Sequence, residues 1–291
     1  MTAQTGFHDG ELAVQERAGV RAQVARLGDA MLATPDLNGG MASFLAARDF
    51  AVITARDPDG RLWTSPLFST PGFLQARDRE LRVRALPGPG DPLGGVVAGQ
   101  PVGMLAIEFS TRRRVRVNGI LTHVGETGLQ LSVDQAYGNC PKYIHSRLLE
   151  HVDSAPQPVE RSSALSAEHQ LLIANADTFF LGTIHPTRGA DASHRGGPPG
   201  FVHVDGDRLW WPDYPGNNMF NSFGNLAVDP SAALLFIDFD TGATLHVSGK
   251  AAVEWVTPSD NDGGTGRRVS LAIESVVWGA RIGLHGGPPT T

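Results

Sequence analysis

The sequence predicts an α+β fold that is mostly β, with two tandem antiparallel barrels and flanking helices. Three observations predict it. Short apolar runs, many alternating with a period of two, are separated by Gly, Pro and Asp turn residues. Segments with helical spacing of apolar residues are few and lie between these runs. Two parts of the chain can also be laid over each other as an internal repeat.

Helical spacing is clearest near the N-terminus. Apolar residues recur there every three or four positions, which predicts one helix over residues 8–33 that begins at His8. Pro141 is favourable in a first helical turn, so residues 135–150 are predicted to be a loop that becomes a helix near it. Further helices are predicted over residues 41–48 and 166–175.

Strands account for the rest of the apolar pattern. The first two form a predicted hairpin around residues 57–60, where Asp, Pro and Gly favour a tight reversal. Residues 87–95 form a loop rich in Gly and Pro. The predicted strands are 50–55, 61–65, 71–74, 81–85, 102–109, 115–124, 128–133, 178–184, 232–239, 243–255 and 267–278.

The internal repeat matches segments from the two halves of the chain. PGFL at residues 71–74 matches PGFV at residues 199–202, and Gly119 and Gly249 each follow a matching phenylalanine by ten residues. The alternative is that any two β-hairpins share such alternation. Taken as a repeat, the pattern predicts two copies of one small barrel, which pair within the chain or between chains.

Residues 151–163 are polar and contain proline, which makes them the best internal boundary. The chain then divides into an N-terminal helical segment (1–40), a first barrel unit (41–150), this linker and a second barrel unit (164–291). Its 291 residues, 41% hydrophobic and 19% charged, are enough for two domains of ordinary size.

Charge and cysteine content limit the partners. The formal net charge is −6 and the longest basic run is residues 112–114, which argues against duplex nucleic acid. The single cysteine, Cys140, allows no intrachain disulfide and fits a reducing compartment. The sequence shows neither a signal-peptide pattern nor an apolar run of membrane-spanning length. We therefore expect a cytoplasmic protein without a membrane partner.

Familiar metal and nucleotide motifs are missing from the sequence. The ten histidines include no H-E-x-x-H pattern, so no zinc site is predicted, and the Gly-rich patterns of dinucleotide and P-loop sites are also missing. The arginines at 112–114 and 267–268 are interpreted as solvated turns or strand ends. The alternative is that one arginine reaches the ligand of the partner barrel.

The densest set of polar groups lies in residues 190–226 and suits an anionic, aromatic ligand. Ser193, His194, Arg195 and Gly196 are interpreted as a loop in which the arginine fork binds a phosphate and the glycine lets the backbone approach. The alternative is a polar loop tip between strands.

A second polar cluster consists of Asn217, Asn218, Asn221 and Ser222. It is interpreted as the start of a short helix, where free amides favour an anion. The alternative is ordinary capping by asparagine. The neighbouring tryptophans at residues 210–211 alternate along a strand, so at most one can flank an aromatic ligand.

Lys142 and Tyr143 are candidates for a third wall that comes from the other barrel. Lys142 would place a cation beside the ligand, and the alternative is a solvated lysine at a helix start. Cys140 has no persuasive base arrangement beside it and is interpreted as packing. No catalytic residue is therefore predicted.

These segments together resemble the pyridoxamine 5′-phosphate oxidase-like superfamily of FMN-binding split barrels. Residues 225–239, with an Asn-Leu pair, an Asp-Pro turn and an apolar strand, and the hairpin 243–255 are similar to the family's helix, turn and following strands. Segments 7–11, 135–144 and 190–201 resemble a subgroup of flavin-nucleotide-binding proteins.

The resemblance implies two tandem split β-barrel units with flanking helices, and FMN held noncovalently in a crevice between barrels. It implies an oxidoreductase that moves two electrons at flavin N5, to or from a small molecule or an electron-transfer partner, and a homodimer. The well-characterised oxidases have basic side chains around the FMN phosphate, where this helix start has asparagine and serine. The implied cofactor contacts are Ser193, His194, Arg195, Gly196, Asn217, Asn218, Asn221, Ser222, Lys142 and Tyr143.

Three alternatives stay open at this point. The first is a non-catalytic flavin or haem carrier. The second is a structural protein in which one or both barrels have lost the cofactor, since the loop at 87–95 has no cluster of asparagine and serine. The third is an oxidoreductase that uses a deazaflavin, whose long acidic tail would need a basic groove.

Overall fold

The computed structural model describes residues 6–31, 37–152 and 158–287. The described part is mostly β with few helices, which confirms the predicted α+β class. Three helices precede the first sheet, and a 3₁₀ turn lies at Asp260–Asp262. The helices are α1 (Asp9–Arg17), α2 (Arg21–Met31), α3 (Gly39–Ala46), α4 (Ala167–Asn175) and α5 (Asn221–Leu226).

The first sheet has seven strands: β1 (Phe50–Arg56), β2 (Leu62–Phe68), β3 (Leu74–Arg77), β4 (Glu80–Val83), β5 (Pro101–Glu108), β6 (Arg113–Gly125) and β7 (Gly128–Gly138). Neighbouring strands are antiparallel, in the order β2-β1-β5-β6-β7-β4-β3. Short turns therefore connect most sequential neighbours, as the turn residues in the sequence predict.

The second sheet follows two short strands, β8 (Leu148–His151) and β9 (Glu160–Ser162). Its members are β10 (Thr178–His185), β11 (Gly189–Gly196), β12 (His203–Asp205), β13 (Arg208–Pro212), β14 (Ser231–Ile237), β15 (Ala243–Trp255) and β16 (Arg267–Arg281). Their order is β11-β10-β14-β15-β16-β13-β12, with β9 added against β16. The last strand, β17 (Leu284–Gly287), pairs with β8.

The two sheets share one strand order, so the internal repeat in the sequence is a repeat of structure. The equivalence extends to a β-bulge in each long hairpin, at Gly119 and at Gly249. A Cβ at Gly119 would lie 2.1 Å from the Ser132 carbonyl oxygen, and one at Gly249 would lie 2.0 Å from that of Ala272. Both matched positions therefore need glycine because another backbone approaches closely.

Each sheet has its own apolar core, and a third apolar cluster joins the two sheets. Phe50, Leu105 and Phe109 of the first sheet pack there with Phe180 and Phe239 of the second. Aromatic rings from both sheets meet edge to face in this cluster, as Phe109 and Phe239 do at 5.4 Å between centroids. The two sheets therefore pack against each other through this cluster.

Two predicted elements are wrong. The single helix over residues 8–33 is broken after Arg17, because Gly19 adopts a left-handed conformation with φ 69°; residues 32–33 lie outside the described residues. The start at His8 is correct, since His8 caps α1. The helix predicted near Pro141 does not form: residues up to Gly138 extend β7, and an irregular segment follows it before β8.

Over the ranges that the structure describes, no helix combines the length and apolar character needed to cross a membrane.

Candidate functional site

A cleft lies between the two sheets, where β6 of the first faces β11 and the β13–α5 segment of the second. Its volume is about 110 Å³. Nine of the ten predicted cofactor contacts line it: His194, Arg195, Gly196, Asn217, Asn218, Asn221, Ser222, Lys142 and Tyr143. The tenth, Ser193, is fully buried behind this wall, with its hydroxyl 3.3 Å from that of Ser222.

β6 supplies the arginines of the first wall. Alternation along this strand points Val115 and Val117 into the core of the first sheet. The same alternation puts Arg114 and Arg116 on the opposite face, where both line the cleft. Arg114 thus extends toward the second sheet and does not lie in a solvated turn, as the sequence had suggested for residues 112–114.

Arg116 is paired across the two sheets. Its Nη1 atom lies 3.1 Å from each carboxylate oxygen of Asp191 on β11, and Asn118 also donates to Asp191 at 3.3 Å. The Arg116 and Asp191 side chains are 11% and 3% exposed. Breaking such a buried pair leaves an uncompensated charge, which is strongly destabilising. The pair therefore fixes the position of one cleft arginine.

Arg195 lies on the opposite wall of the cleft, and its carboxylate partner, Asp213, is shared with Arg267. Asp213 lies 3.8 Å from Nη1 of Arg195 and 2.8 Å from Nε of Arg267. Burial lowers the pKa of Arg195, and the nearby Asp213 offsets this only in part. One carboxylate serves two guanidinium groups, so positive charge on this wall is incompletely compensated.

Arg114 carries a charge that no carboxylate pairs with in the described part of the chain. Its hydrogen bonds go to the backbone carbonyls of Cys140 (2.8 Å) and His194 (3.4 Å). Burial, followed by the charges of Arg116 and Arg195, lowers the pKa of Arg114 to about 9. An anion in the cleft would reverse this shift because it would stabilise the charged guanidinium.

Six buried side-chain nitrogens around the cleft have no hydrogen-bond partner among the described residues. They are Nε of Arg114, Arg116 and Arg195, both ring nitrogens of His194, and Nδ2 of Asn139. Burial and then the surrounding arginines hold the pKa of His194 well below its ordinary value, so its ring is neutral near pH 7. Buried polar groups are normally paired. This set of unpaired groups therefore fits an anion with several oxygens.

The segment before α5 differs from the prediction. The expected helix start at Asn217 or Asn218 does not exist, because α5 begins at Asn221 and has only six residues. Asn218 and Phe220 adopt left-handed conformations, with φ 58° and 59°, which interrupt any earlier helix. The asparagines line the cleft from a loop, so donors at a helix start are not what makes this site cationic.

Residues 193–196 are likewise not the polar loop that the sequence suggested. They form the end of β11 and pair with β10, Ser193 opposite Leu181. Pairing turns the Ser193 hydroxyl toward the Leu181 carbonyl at 3.3 Å. Strand geometry, rather than loop flexibility, therefore sets where Arg195 projects.

Helix α1 packs against α5 on the side away from the cleft, and its Glu11 positions the cleft residue Asn221. Glu11 accepts hydrogen bonds from the Asn221 side chain and from the backbone N–H of His8, the latter at 2.8 Å. The ring of His8 lies 3.2 Å from the Asn225 side chain. Glu11 is 2% exposed, and burial raises its pKa to about 7. The N-terminal helix therefore positions Asn221.

Aromatic side chains form the rim of the cleft. The rings of Tyr143 and Tyr214 are stacked with centroids 5.4 Å apart, and the exposed Lys142 directly precedes Tyr143 in the chain. Trp211 is buried and lines the cleft, whereas Trp210 stacks on a histidine outside it. The two tryptophans thus face opposite sides of β13, as strand alternation predicts.

Sequence reasoning missed Arg116, Asp213 and Asn139. Arg116 carried a usable signal, since it lies two residues after Arg114 on a predicted strand and so shares its face. Asp213 carried none, because its role depends on ion pairs to arginines distant in the chain. Asn139 was interpreted as part of a loop before a helix that does not form.

The residues present fit a phosphate-bearing aromatic ligand. Guanidinium groups donate pairs of charge-assisted hydrogen bonds to phosphate, and the stacked tyrosines offer a flat apolar surface at the mouth. Within the described ranges, no group of three or more His, Cys, Asp or Glu side chains could hold a metal ion. The cleft can therefore bind and orient an anionic group.

Comparison with known proteins places the second half of the chain in a family. Residues 165–278 match the family model described as pyridoxamine 5′-phosphate oxidase. No curated protein matches the chain. The matched segment runs from the residues just before α4 through most of β16, and it contains one complete wall of the cleft.

Several solved structures are similar to parts of the chain. HupZ from Group A Streptococcus is 14% identical, with 40% of this chain and 98% of that chain covered and a TM-score of 0.31. HutZ, a haem storage protein from Vibrio cholerae, is 12% identical (42% and 93% covered, TM-score 0.29). An FAD-binding protein from Mycobacterium smegmatis is 11% identical (39% and 96% covered, TM-score 0.27). The family match over residues 165–278 confirms the predicted resemblance of this part of the chain to the pyridoxamine 5′-phosphate oxidase-like superfamily.

Proposed function

We propose that the chain binds a flavin nucleotide, FMN in the first place, with its phosphate in the cleft between the sheets. Uncompensated positive charge is the observation that carries this proposal. Arg114, Arg116 and Arg195 converge there. Asp191 pairs with Arg116, and Asp213 is shared by Arg195 and Arg267, which leaves Arg114 without a carboxylate partner among the described residues. A phosphate has enough oxygens and charge to satisfy the unpaired guanidinium nitrogens.

The size of the cleft indicates how such a ligand would lie. Its volume of about 110 Å³ is below the roughly 300–1,000 Å³ of pockets that enclose whole drug-sized ligands. It suits a phosphate-sized group. The isoalloxazine ring would then lie toward the rim, near Tyr143 and Tyr214, with Lys142 beside it.

The reaction class follows from the cofactor. A bound flavin would supply two-electron transfer at N5 to or from a small molecule or an electron carrier. The arginines of the cleft would bind the phosphate. Glu11 would hold the Asn221 side chain in position, and the neutral His194 ring would donate or accept a hydrogen bond. No side chain is assigned as catalytic.

We also propose that the two sheets are two split-barrel units, with residues 1–40 as the helical segment, 41–150 and 164–291 as the units, and 151–163 as their linker. Their shared strand order and common apolar cluster support this division. A homodimer and a cytoplasmic location remain predictions, since both concern surroundings beyond one chain.

A second candidate is a haem carrier, and one observation favours it. His194 is a buried, neutral histidine whose two ring nitrogens are unpaired among the described residues. Neutral imidazole is a haem-iron ligand, and the arginines would pair with propionates. Haem added to the protein would then give a Soret band that His194→Ala abolishes.

Calorimetric titration with FMN tests the flavin proposal, and riboflavin is the matched control because it lacks only the phosphate. We expect FMN to bind at least about 100-fold more tightly, since two or more hydrogen bonds to a charged group contribute about 1.5–3 kcal/mol each. Equal affinities, or no binding of FMN, would contradict it. Anaerobic bleaching of the bound flavin by NADH or NADPH separates an enzyme from a carrier.

A further inference from the structure

The cleft has a structural counterpart elsewhere in the same chain. A constant spacing of 130 residues relates the segment from Asp91 to Gly119 to the segment from Asn221 to Gly249. Within it, the buried Leu93 and Val96 match the buried Phe223 and Leu226, and the two β-bulge glycines match each other. The loop before β5 thus corresponds to α5, and β6 corresponds to β15.

Strand register extends the match to the remaining wall. Val52 of β1 faces Leu105 on one side and Pro66 on the other, and Phe180 of β10 faces Leu235 and His194 in the same way. Ser65 of β2 therefore corresponds to Ser193 of β11, and Leu67 corresponds to Arg195. β11 packs against β5 and β6 of the first sheet, and in the same way β2 packs against β14 and β15 of the second.

The matched positions differ in the chemistry that an anion needs. Where the cleft has Arg116, the counterpart has His246, and where it has Arg114, the counterpart has Thr244. The third arginine is replaced by the buried Leu67. All three guanidinium groups are therefore missing from the counterpart.

A carboxyl group fills the counterpart instead. Asp91, which corresponds to Asn221, accepts hydrogen bonds from the Ser65 hydroxyl and from the Leu93 N–H, the latter at 2.8 Å. His246 donates through Nδ1 to the Thr64 carbonyl at 3.0 Å, and its Nε2 lies 3.8 Å from Asp91 Oδ2. Both Asp91 and His246 are buried. The polar atoms of both side chains are thus paired within the chain without a ligand, His246 Nε2 with the Thr244 hydroxyl at 3.0 Å.

Burial raises the pKa of Asp91 and lowers the pKa of His246, so both side chains tend toward the neutral form. Among the described residues, neither side chain has a buried atom without a hydrogen-bond partner. The counterpart therefore lacks the three arginines of the cleft, and its Asp91 and His246 offer an anion no unpaired donor.

We propose that the chain holds one anionic ligand rather than two, because Asp91 closes the counterpart of the cleft from within. Both walls of the remaining site come from a single chain, so the site is complete without a second copy. The identity of the ligand as a flavin rests on the proposed function, whereas the number of anion sites does not.

The test uses inorganic phosphate and FMN on the full chain. In thermal melting, phosphate is expected to raise the melting temperature of the wild type beyond an equal ionic strength of chloride. Arg195→Gln should lose most of this shift, and His246→Asn at the counterpart should keep it. Ser65→Ala takes the place of His246→Asn if that variant does not fold. In calorimetry, FMN should bind once per chain.

The opposite results would overturn the proposal. These are a phosphate shift that survives Arg195→Gln and disappears in the counterpart variant, two FMN per chain, or no phosphate shift in the wild type. A phosphate shift with the expected pattern but no FMN binding would remove the flavin proposal and leave the single anion site standing.

Discussion

The cleft around Arg114 and its counterpart around Asp91 occupy equivalent places in two sheets with the same strand order. They differ in almost every polar group. The first collects three arginines and leaves six buried nitrogens unpaired among the described residues, and the second satisfies its carboxyl and imidazole internally. Repetition therefore preserves strand order, bulges and apolar packing, while the residues on the face between the sheets are free to diverge.

This contrast implies that the counterpart contributes to the stability of the fold, whereas the cleft contributes to ligand binding. Internal pairing around Asp91 stabilises the folded chain whether or not a ligand is present. Convergence of like charges around Arg114 destabilises the chain until an anion binds. The following predictions test that separation, beginning with the largest expected effect.

Asp191→Asn should be the most destabilising of the changes considered. It breaks the buried pair with Arg116 and leaves that guanidinium uncompensated, which typically costs about 3–5 kcal/mol. Urea unfolding measures the loss. The matched control is Glu254→Gln, whose pair with Arg268 is partly exposed and should change stability by about 1 kcal/mol or less. Equal effects from the two variants would contradict the buried role of Asp191.

Glu11→Gln should change the pH dependence of stability. The pKa of folded Glu11 is raised from 4.5 to about 7, so between these values the folded chain keeps a proton that the unfolded chain loses. Stability must therefore fall as pH rises through this window. The shift corresponds to about 3 kcal/mol. Burial lowers the pKa of the neighbouring His8 from 6.5 to about 4. His8 therefore makes stability rise with pH between these two values, opposite to the effect of Glu11.

The readout for Glu11 is the difference in unfolding free energy between wild type and Glu11→Gln at several pH values. This difference removes the contribution of groups that titrate alike in both proteins. It should grow in favour of the variant from pH 4.5 to 7 and then level off. A difference independent of pH would show that Glu11 titrates normally.

Gly119→Ala and Gly249→Ala should destabilise the chain by similar amounts. In each case the added Cβ would meet a carbonyl oxygen at about 2 Å, and overpacking of this kind costs about 1–3 kcal/mol. Matching losses in chemical denaturation would support the equivalence of the two hairpins. A loss at only one position would show that the repeat does not extend to the bulges.

The sequence predicted most strands and the repeat, because period-two alternation and turn residues are local signals. Nine of the ten cofactor contacts that it predicted line the cleft. It placed the start of the short helix α5 too early, at Asn217 or Asn218 rather than Asn221, and it did not predict the strand at 193–196. Phe220 adopts a left-handed conformation that its residue type does not announce, and Ser193 is drawn into β11 by pairing with a distant strand. The pair of Arg116 with Asp191 could not be predicted, because it depends on the packing of β6 against β11.

The central claim is that the charge of Arg114 is held in place for an anion, and Arg114→Met tests it most directly. Removing a buried, unpaired charge should raise the stability of the ligand-free protein and weaken FMN binding about ten- to a hundred-fold, equivalent to about 1.4–3 kcal/mol. Arg48→Met is the control, because Arg48 is also shielded from solvent but is paired with Glu108; it should destabilise the chain and leave binding unchanged. Loss of stability in Arg114→Met, with FMN affinity intact, would contradict the account.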